Sequence, residues 1–231
     1  MRLDKFLSNL KFGSRKDIKT MVKNGLVVIN NDQAVSSDVK IDPIYDKISV
    51  NGREVFYQEN IILAFNKPKG YLSSHIDEVY PSLFNLIGPP MNQFDLKIAG
   101  RLDYDSEGLM ILTTSGPLIH KITHPKKHIQ KVYEATLDRS LDQISLNQLL
   151  QGVILIDTDG STYQTKAINL TSIDNVSTIT IDEGKFHQVK KMFKHVGYEV
   201  LNLKRIQVGL LKLDLDLGQY KVINESDIFG R

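Results

Sequence analysis

The chain has 231 residues, 41% hydrophobic and 24% charged, enough for a real core in one large domain or in a medium domain with a small satellite. It contains no cysteine, which excludes disulfides and thiolate metal sites, and nothing in it argues for an oxidising compartment. The start Met1-Arg2-Leu3-Asp4-Lys5 lacks the apolar core of a secretion signal, and no run approaches a membrane span, so a bacterial-type cytoplasm is expected.

Charge is unevenly placed. The formal net charge is +2, but residues 1–24 hold seven Lys and Arg against Asp4 and Asp17, hence +5, and the remainder must sum to −3. This asymmetry makes the amino terminus a candidate electrostatic footprint for phosphate. Leu3, Phe6, Leu7 and Leu10 follow the spacing of one helical face. Gly13 breaks that pattern, and Ser14-Arg15-Lys16-Asp17 reads as a capping box opening a second helix. Ile18, Met21 and Val22 supply its buried stripe, Arg15, Lys19 and Lys23 stack on another face, and Gly25 ends it. Strands are expected at Leu26–Asn30 and Lys47–Val50, with turns at Asn30-Asn31-Asp32 and Asn51-Gly52. The polar stretch 51–60 is the expected linker.

From Ile61 onward, strand-like segments alternate with turns. The candidates are Ile61–Phe65, Leu96–Ala99, Leu109–Thr113, Lys131–Leu137, Tyr163–Leu170, Val176–Ile181 and Val200–Ile206. Ser140-Leu141-Asp142-Gln143 reads as a capping box for a helix through Leu150, stopped by Gly152. A last helix takes Phe186, Val189, Met192, Phe193 and Val196 as its apolar face, with His187, Lys190, Lys191 and Lys194 on the other side and Gly197 as its stop. Strands in mixed order with few helices predict an α+β fold. The domains are read as a small amino-terminal unit with its linker over 1–58, and a larger, mostly antiparallel sheet domain over 59–231.

The most informative stretch is Gly100-Arg101-Leu102-Asp103-Tyr104-Asp105-Ser106-Glu107-Gly108-Leu109, which sets Asp103 on a polar loop between two apolar strands. Asp, Ser and Gly are also what ordinary loops contain, so local physics alone favours a plain turn. On Lys131-Val132-Tyr133, residues two apart share a strand face, so Lys131 and Tyr133 point the same way.

Some tempting patterns are set aside. His120, His124 and His128 are spaced by four, but Pro125 interrupts any helix that would align them as metal ligands. Asp157–Ser161 lacks the later bidentate Glu of a calcium loop and predicts a hairpin turn at Asp159-Gly160. Leu213–Leu217 reads as an alternating strand, and Asn66–Gly70 lacks the spacing of a phosphate-binding loop.

Four motifs in order resemble the RsuA-type pseudouridine synthase family. They are Asn66-Lys67-Pro68-Lys69-Gly70, the Gly100-Arg101-Leu102-Asp103 loop with Glu107-Gly108-Leu109, Lys131-Val132-Tyr133, and Glu183-Gly184-Lys185-Phe186-His187-Gln188-Val189-Lys190-Lys191-Met192. Residues 1–50 resemble an S4 RNA-binding domain. The resemblance implies a bent mixed sheet with a cleft across its middle. It implies Asp103 as catalytic carboxylate, Tyr133 as the platform for the base and Lys190 as charge partner of Asp103. A lysine there offers a point charge without the bidentate fork of arginine. It further implies RNA contacts from Arg2, Lys5, Arg15, Lys16 and Lys19 in the S4 module, and from Arg101, Lys131, His187 and Gln188 around the cleft.

The implied reaction breaks the uridine N1–C1′ bond and rejoins the uracil through C5, with neither metal nor organic cofactor required. Asp103 could act as nucleophile at C1′ or as base at the ribose, and both roles stay open. The implied partner is ribosomal RNA, in a small-subunit precursor by the form of the last helix, with the protein acting as a monomer. A large-subunit rRNA synthase and an inert ribosome-assembly factor are the alternatives; the presence of all three groups favours the enzyme.

Overall fold

A computed structural model describes residues 1–230 and divides the chain into two units, Met1–Ile61 with Ile87–Leu96, and Ile62–Leu86 with the chain from Lys97 onward. In the first unit, helix α1 (Leu3–Asn9) buries Leu3, Phe6 and Leu7, and Leu10 completes the stripe. Helix α2 (Arg15–Lys23) begins with the expected capping box: the Ser14 hydroxyl accepts from the Asp17 amide, and the Asp17 carboxylate accepts from the Ser14 amide. Ile18 and Val22 are buried beneath it, whereas Met21 is only half-buried. Strands β1 (Val27–Ile29), β2 (Asp32–Gln33), β3 (Ile48–Val50) and β4 (Arg53–Glu54) form an antiparallel sheet in the order β2-β1-β3-β4. Its two hairpins turn at Asn30-Asn31 and Asn51-Gly52, all four at positive φ, as two-residue turns demand.

The segment Ile87–Leu96, expected in the larger domain, belongs to this first unit. Phe94 packs edge-on against Phe56 with centroids 5.9 Å apart, and the Lys11 ammonium donates to the Asn92 carbonyl at 2.8 Å. Burial of Phe94 against Phe56 explains the assignment, which a linear reading of the chain could not reveal.

The second unit is built on a nine-stranded sheet, with a separate two-stranded one. Its elements are β5 (Ile62–Lys67), β6 (Lys97–Ile98), β7 (Glu107–Thr113), α3 (Gly116–Thr123), β8 (Lys131–Leu137), α4 (Gln143–Gln151), β9 (Val153–Ile156), β10 (Thr162–Thr165), β11 (Asn169–Ile173), β12 (Val176–Ile181), α5 (Gln188–His195), β13 (Val200–Val208), β14 (Leu211–Lys212), β15 (Tyr220–Val222) and α6 (Glu225–Phe229). The strand order is β11-β12-β8-β13-β7-β5-β15, with β6 on β7 and β14 on β13. Every pairing is antiparallel except β13 with β7. Strand β7 is buried along its whole length from Gly108 to Thr113, the pattern of a central strand covered on both faces. Helices α3 and α6 cover one of them, packing Leu118, Ile122 and Ile228 onto Leu109 and Ile111.

Several local expectations change. The helix α4 is capped by Asp142, whose carboxylate accepts from the Ser145 amide, and not by Ser140. The expected strand Tyr163–Leu170 is two strands, β10 pairing with β9 and β11 with β12. The β9–β10 hairpin does turn over Asp157–Ser161, with Gly160 at positive φ. Leu213–Leu217 is not a strand: the Leu215 carbonyl accepts from the Asn66 side chain at 2.7 Å, and Asn66 also exchanges backbone bonds with Gly218 and Gln219. Leu213 and Leu215 still pack on the core, which accounts for the alternation.

Candidate active site

The sheet register aligns three sequence-distant residues. Arg205 on β13 lies opposite Tyr133 on β8 and opposite Gly108 on β7. Gly108 has φ +113, and a Cβ built on it would stand 2.3 Å from the Arg205 carbonyl oxygen, so only glycine admits this approach. The Arg205 side chain is 2% exposed. Its Nε donates to the Leu109 carbonyl at 2.6 Å and its Nη2 to the Gly100 carbonyl at 2.9 Å. One guanidinium thereby clamps both ends of the loop that carries Asp103.

That loop rims a cleft of about 500 Å³, lined also by Lys131, Tyr133, Phe186, His187 and Arg205. Two side chains approach the half-buried Asp103 carboxylate: the His187 ring, with Nε2 3.2 Å from Oδ1, and the Lys190 ammonium, with Nζ 3.5 Å from Oδ2. Lys190 comes closer to Asp105, at 2.6 Å from its Oδ1. Partial burial pushes the Asp105 carboxyl upward, but the hydrogen bond and charge of Lys190 outweigh it and leave it below the usual range. The expected pairing of Lys190 with Asp103 is present in space, and it is shared.

Tyr133 is buried in the cleft wall, and Lys131, two residues earlier on the same strand, is buried beside it. Lys131 donates to the Ile129 carbonyl at 2.9 Å, and burial together with the nearby Arg205 charge pushes it down to about 8. Lys67, at the end of β5, is fully buried under the loop, donates to the Ser106 carbonyl at 2.8 Å and is likewise pushed down to about 8 by burial. Arg101 lines the cleft with its side chain exposed.

One expected contact residue is largely occupied, and one expected helix position is corrected. Gln188 is 3% exposed, and its amide is committed within the protein: Nε2 donates to Thr165 and Glu183, and Oε1 accepts from the Lys185 amide. It braces the turn before α5: both Nε2 hydrogens are used inside the protein, which leaves one Oε1 lone pair as the capacity for an RNA contact. Phe186 is not part of the apolar face of α5; it precedes the helix, is 54% exposed, and stacks on His187 with centroids 3.7 Å apart. His187 stands at φ +54, which turns the chain at the helix start and directs its ring to Asp103.

In the first unit, Lys5, Arg15, Lys16 and Lys19 are exposed, as is Arg2, which pairs with Asp4 at 2.8 Å. Arg2 and its hydrogen bond hold Asp4 below the usual carboxylate range. Among the described residues, no three His, Cys, Asp or Glu side chains are grouped as metal ligands. The His120 and His124 rings lie 4.6 Å apart with their planes tilted by 51°, and His128 meets Asp182 at 2.7 Å. Sequence reading missed Arg205, Phe186 and Asp105. An arginine two residues after Leu203, on the same strand face, was the available signal for the first.

The cleft therefore offers one carboxylate held between an imidazole and an ammonium, beside a buried aromatic wall, a set suited to nucleophilic or general-base chemistry. Comparison with known proteins agrees with this. Residues 61–195 match the RNA pseudouridylate synthase family, and residues 1–37 match the S4 domain. An RNA pseudouridine synthase of Bacillus subtilis, YtzG, is 40% identical over 99% of this chain and 97% of its own. The ribosomal small subunit pseudouridine synthase A of Vibrio vulnificus is 33% identical over 99% of this chain and 98% of its own. A crystal structure of a pseudouridylate synthase, 32% identical, superposes with a TM-score of 0.68 over 99% of this chain and 98% of that one. Shared sequence along almost the entire length, joined to a matching fold, makes this chain a member of the RNA pseudouridylate synthase family with an amino-terminal S4 domain.

Proposed function

We propose that the protein isomerises one uridine of small-subunit ribosomal RNA to pseudouridine, acting as a cytoplasmic monomer on a small-subunit precursor. The observation that carries this reading is Asp103 in the cleft, 3.2 Å from His187 and 3.5 Å from Lys190. The small-subunit choice is supported by full-length likeness to relatives named for that activity and by the form of Phe186–Phe193.

In this reading the extruded uracil lies against Tyr133, whose buried ring offsets part of the stacking lost on flipping, a cost of about a few kcal/mol. Asp103 either attacks C1′ or takes a proton from the ribose. The N1–C1′ bond breaks, the uracil turns, and a C5–C1′ bond forms as Asp103 leaves C1′ or returns its ribose proton; solvent takes the C5 proton and supplies one to N1. Arg101 enters the space that the nucleotide vacates, and the exposed basic residues of the S4 module hold phosphates without reading sequence.

The test is tritium release from C5-labelled uridine in small-subunit and large-subunit rRNA, with wild type and Asp103→Asn. Release from small-subunit RNA by wild type alone is expected. Release only from large-subunit RNA would reassign the substrate, and equal release by both proteins would defeat the role given to Asp103.

A further inference from the structure

The loop that follows Gly70 is held in shape by its own side chains. Ser82 Oγ donates to the Ser74 carbonyl at 2.5 Å, the Ser82 amide donates to Asp77 Oδ1 at 2.5 Å, and Asn85 Nδ2 donates to the same carboxylate at 3.0 Å. His75 stacks on Phe84 with centroids 4.0 Å apart. The loop so braced presents Tyr80 to Tyr104, the residue directly after Asp103. Their rings lie nearly parallel, centroids 4.6 Å apart and planes inclined by 14°. The backbone of Tyr104 is itself pinned, because its carbonyl accepts from the Gly70 amide at 2.7 Å.

A tyrosine pair that served only packing would be expected in the core. Here Tyr80 and Tyr104 stay 38% and 46% exposed, and Tyr104 lies on the loop that carries Asp103. We propose that the Tyr80–Tyr104 stack is a nucleobase-binding subsite that receives the base of a nucleotide adjacent to the flipped uridine. When one base leaves a stack, its neighbour is left with an open face, and an aromatic ring replaces the lost partner whatever that neighbour's identity. Exposed Lys69 and Arg101 stand near in sequence to serve the flanking phosphates, but Asp77 and Glu78 on the same loop offset them. Stacking, not charge, is therefore the term that supplies the affinity. The internal bonds of the loop pre-organise the rings, which limits the ordering needed on binding. The inference rests on the family's action on RNA and not on which rRNA is the substrate.

The experiment measures fluorescence anisotropy of labelled ribonucleotide nonamers with a central uridine, either intact or abasic at the position 5′ or 3′ to it. Full-length wild type, Tyr104→Ala, Tyr104→Phe, Tyr80→Ala and Asp103→Asn are compared. Tyr104→Ala is expected to bind the intact nonamer about 5- to 150-fold more weakly. Tyr104→Phe should match wild type, Tyr80→Ala should show a smaller loss, and one of the two abasic nonamers should bind wild type and Tyr104→Ala equally. Asp103→Asn leaves both rings in place, so a failure of catalysis and a failure of stacking are read apart. An equal loss on all three nonamers, or none on any, overturns the subsite. So does unchanged nonamer binding with weaker binding to the assembled small subunit, which would make the rings a protein contact.

Discussion

The Lys190 ammonium stands 2.6 Å from Asp105, closer than its 3.5 Å approach to Asp103. One cation serves two carboxylates two residues apart, and the nearer one is the more exposed. Asp105 therefore tethers Lys190 at the edge of the cleft and limits how much of its charge Asp103 receives.

Removing the tether and removing the cation should differ. Lys190→Ala is expected to lower the rate of pseudouridine formation about 10- to 100-fold, the worth of one charge-assisted hydrogen bond. Asp105→Asn should stay within about tenfold of wild type, because Lys190 remains free to meet Asp103. The Asp105 carboxyl is lowered in the folded protein, so the pair's stabilisation is present above the unfolded value near pH ~4 and fades as pH falls through the folded one. Being half-exposed, it amounts to about 0.2–1 kcal/mol, read as the difference in urea midpoints between wild type and Lys190→Ala at pH ~7 and pH ~3.

Arg205 touches the loop rather than the nucleotide, which makes it a positioning residue. Arg205→Lys cannot reach both the Gly100 and Leu109 carbonyls with one ammonium. A stability loss of about 1.5–3 kcal/mol is expected. The rate constant should fall about 10- to 100-fold through misplacement of Asp103, with KM changing less. A rate equal to wild type in a stably folded Arg205→Lys protein would remove the loop clamp from consideration.

Gly108→Ala places a methyl 2.3 Å from the Arg205 carbonyl oxygen at a φ that side chains avoid. Neither β7 nor β13 can yield without breaking the central pairing, so more than about 3 kcal/mol of destabilisation is expected. Gly184→Ala, which has open space around the added carbon, should be nearly neutral. Thermal melts of the two variants make the comparison.

Buried Lys131 is lowered to about 8, below its unfolded value. The folded state therefore releases this proton first, and stability should rise with pH between ~8 and ~10.4, by up to about 3 kcal/mol. Lys67 acts in the same direction. Urea midpoints of wild type and Lys131→Met across that window isolate the Lys131 share; parallel curves would show that its charge is not penalised by burial. RNA affinity that depends on a charged Lys131 should decline over the same range.

The exposed Arg15, Lys16 and Lys19 of the S4 module give the last expectation. Replacing all three by alanine should weaken binding to any single-stranded RNA and flatten the salt dependence by about 0.7 in log–log slope for each phosphate no longer neutralised. An unchanged slope would mean that these residues lie outside the RNA footprint.

Local chemistry was legible in the linear chain. The Ser14–Asp17 capping box, the Asn30-Asn31 and Asp159-Gly160 turns, and the apolar runs of β7, β8 and β12 depend on neighbours within a few positions, so pattern alone determined them. Motif order likewise named Asp103, Tyr133 and Lys190, which the fold gathers around one cleft or its rim. The tertiary structure decided what periodicity cannot encode, namely which strand lies beside which. Inserting β13 between β7 and β8 brings Arg205 to carbonyls 96 and 105 residues away. It also buries Lys131, while the fold closes Gln188 into an internal network and divides Lys190 between two carboxylates. A strand's alternation tells which residues face inward, but its partners are chosen by the burial of distant apolar faces, and only the folded chain makes that choice.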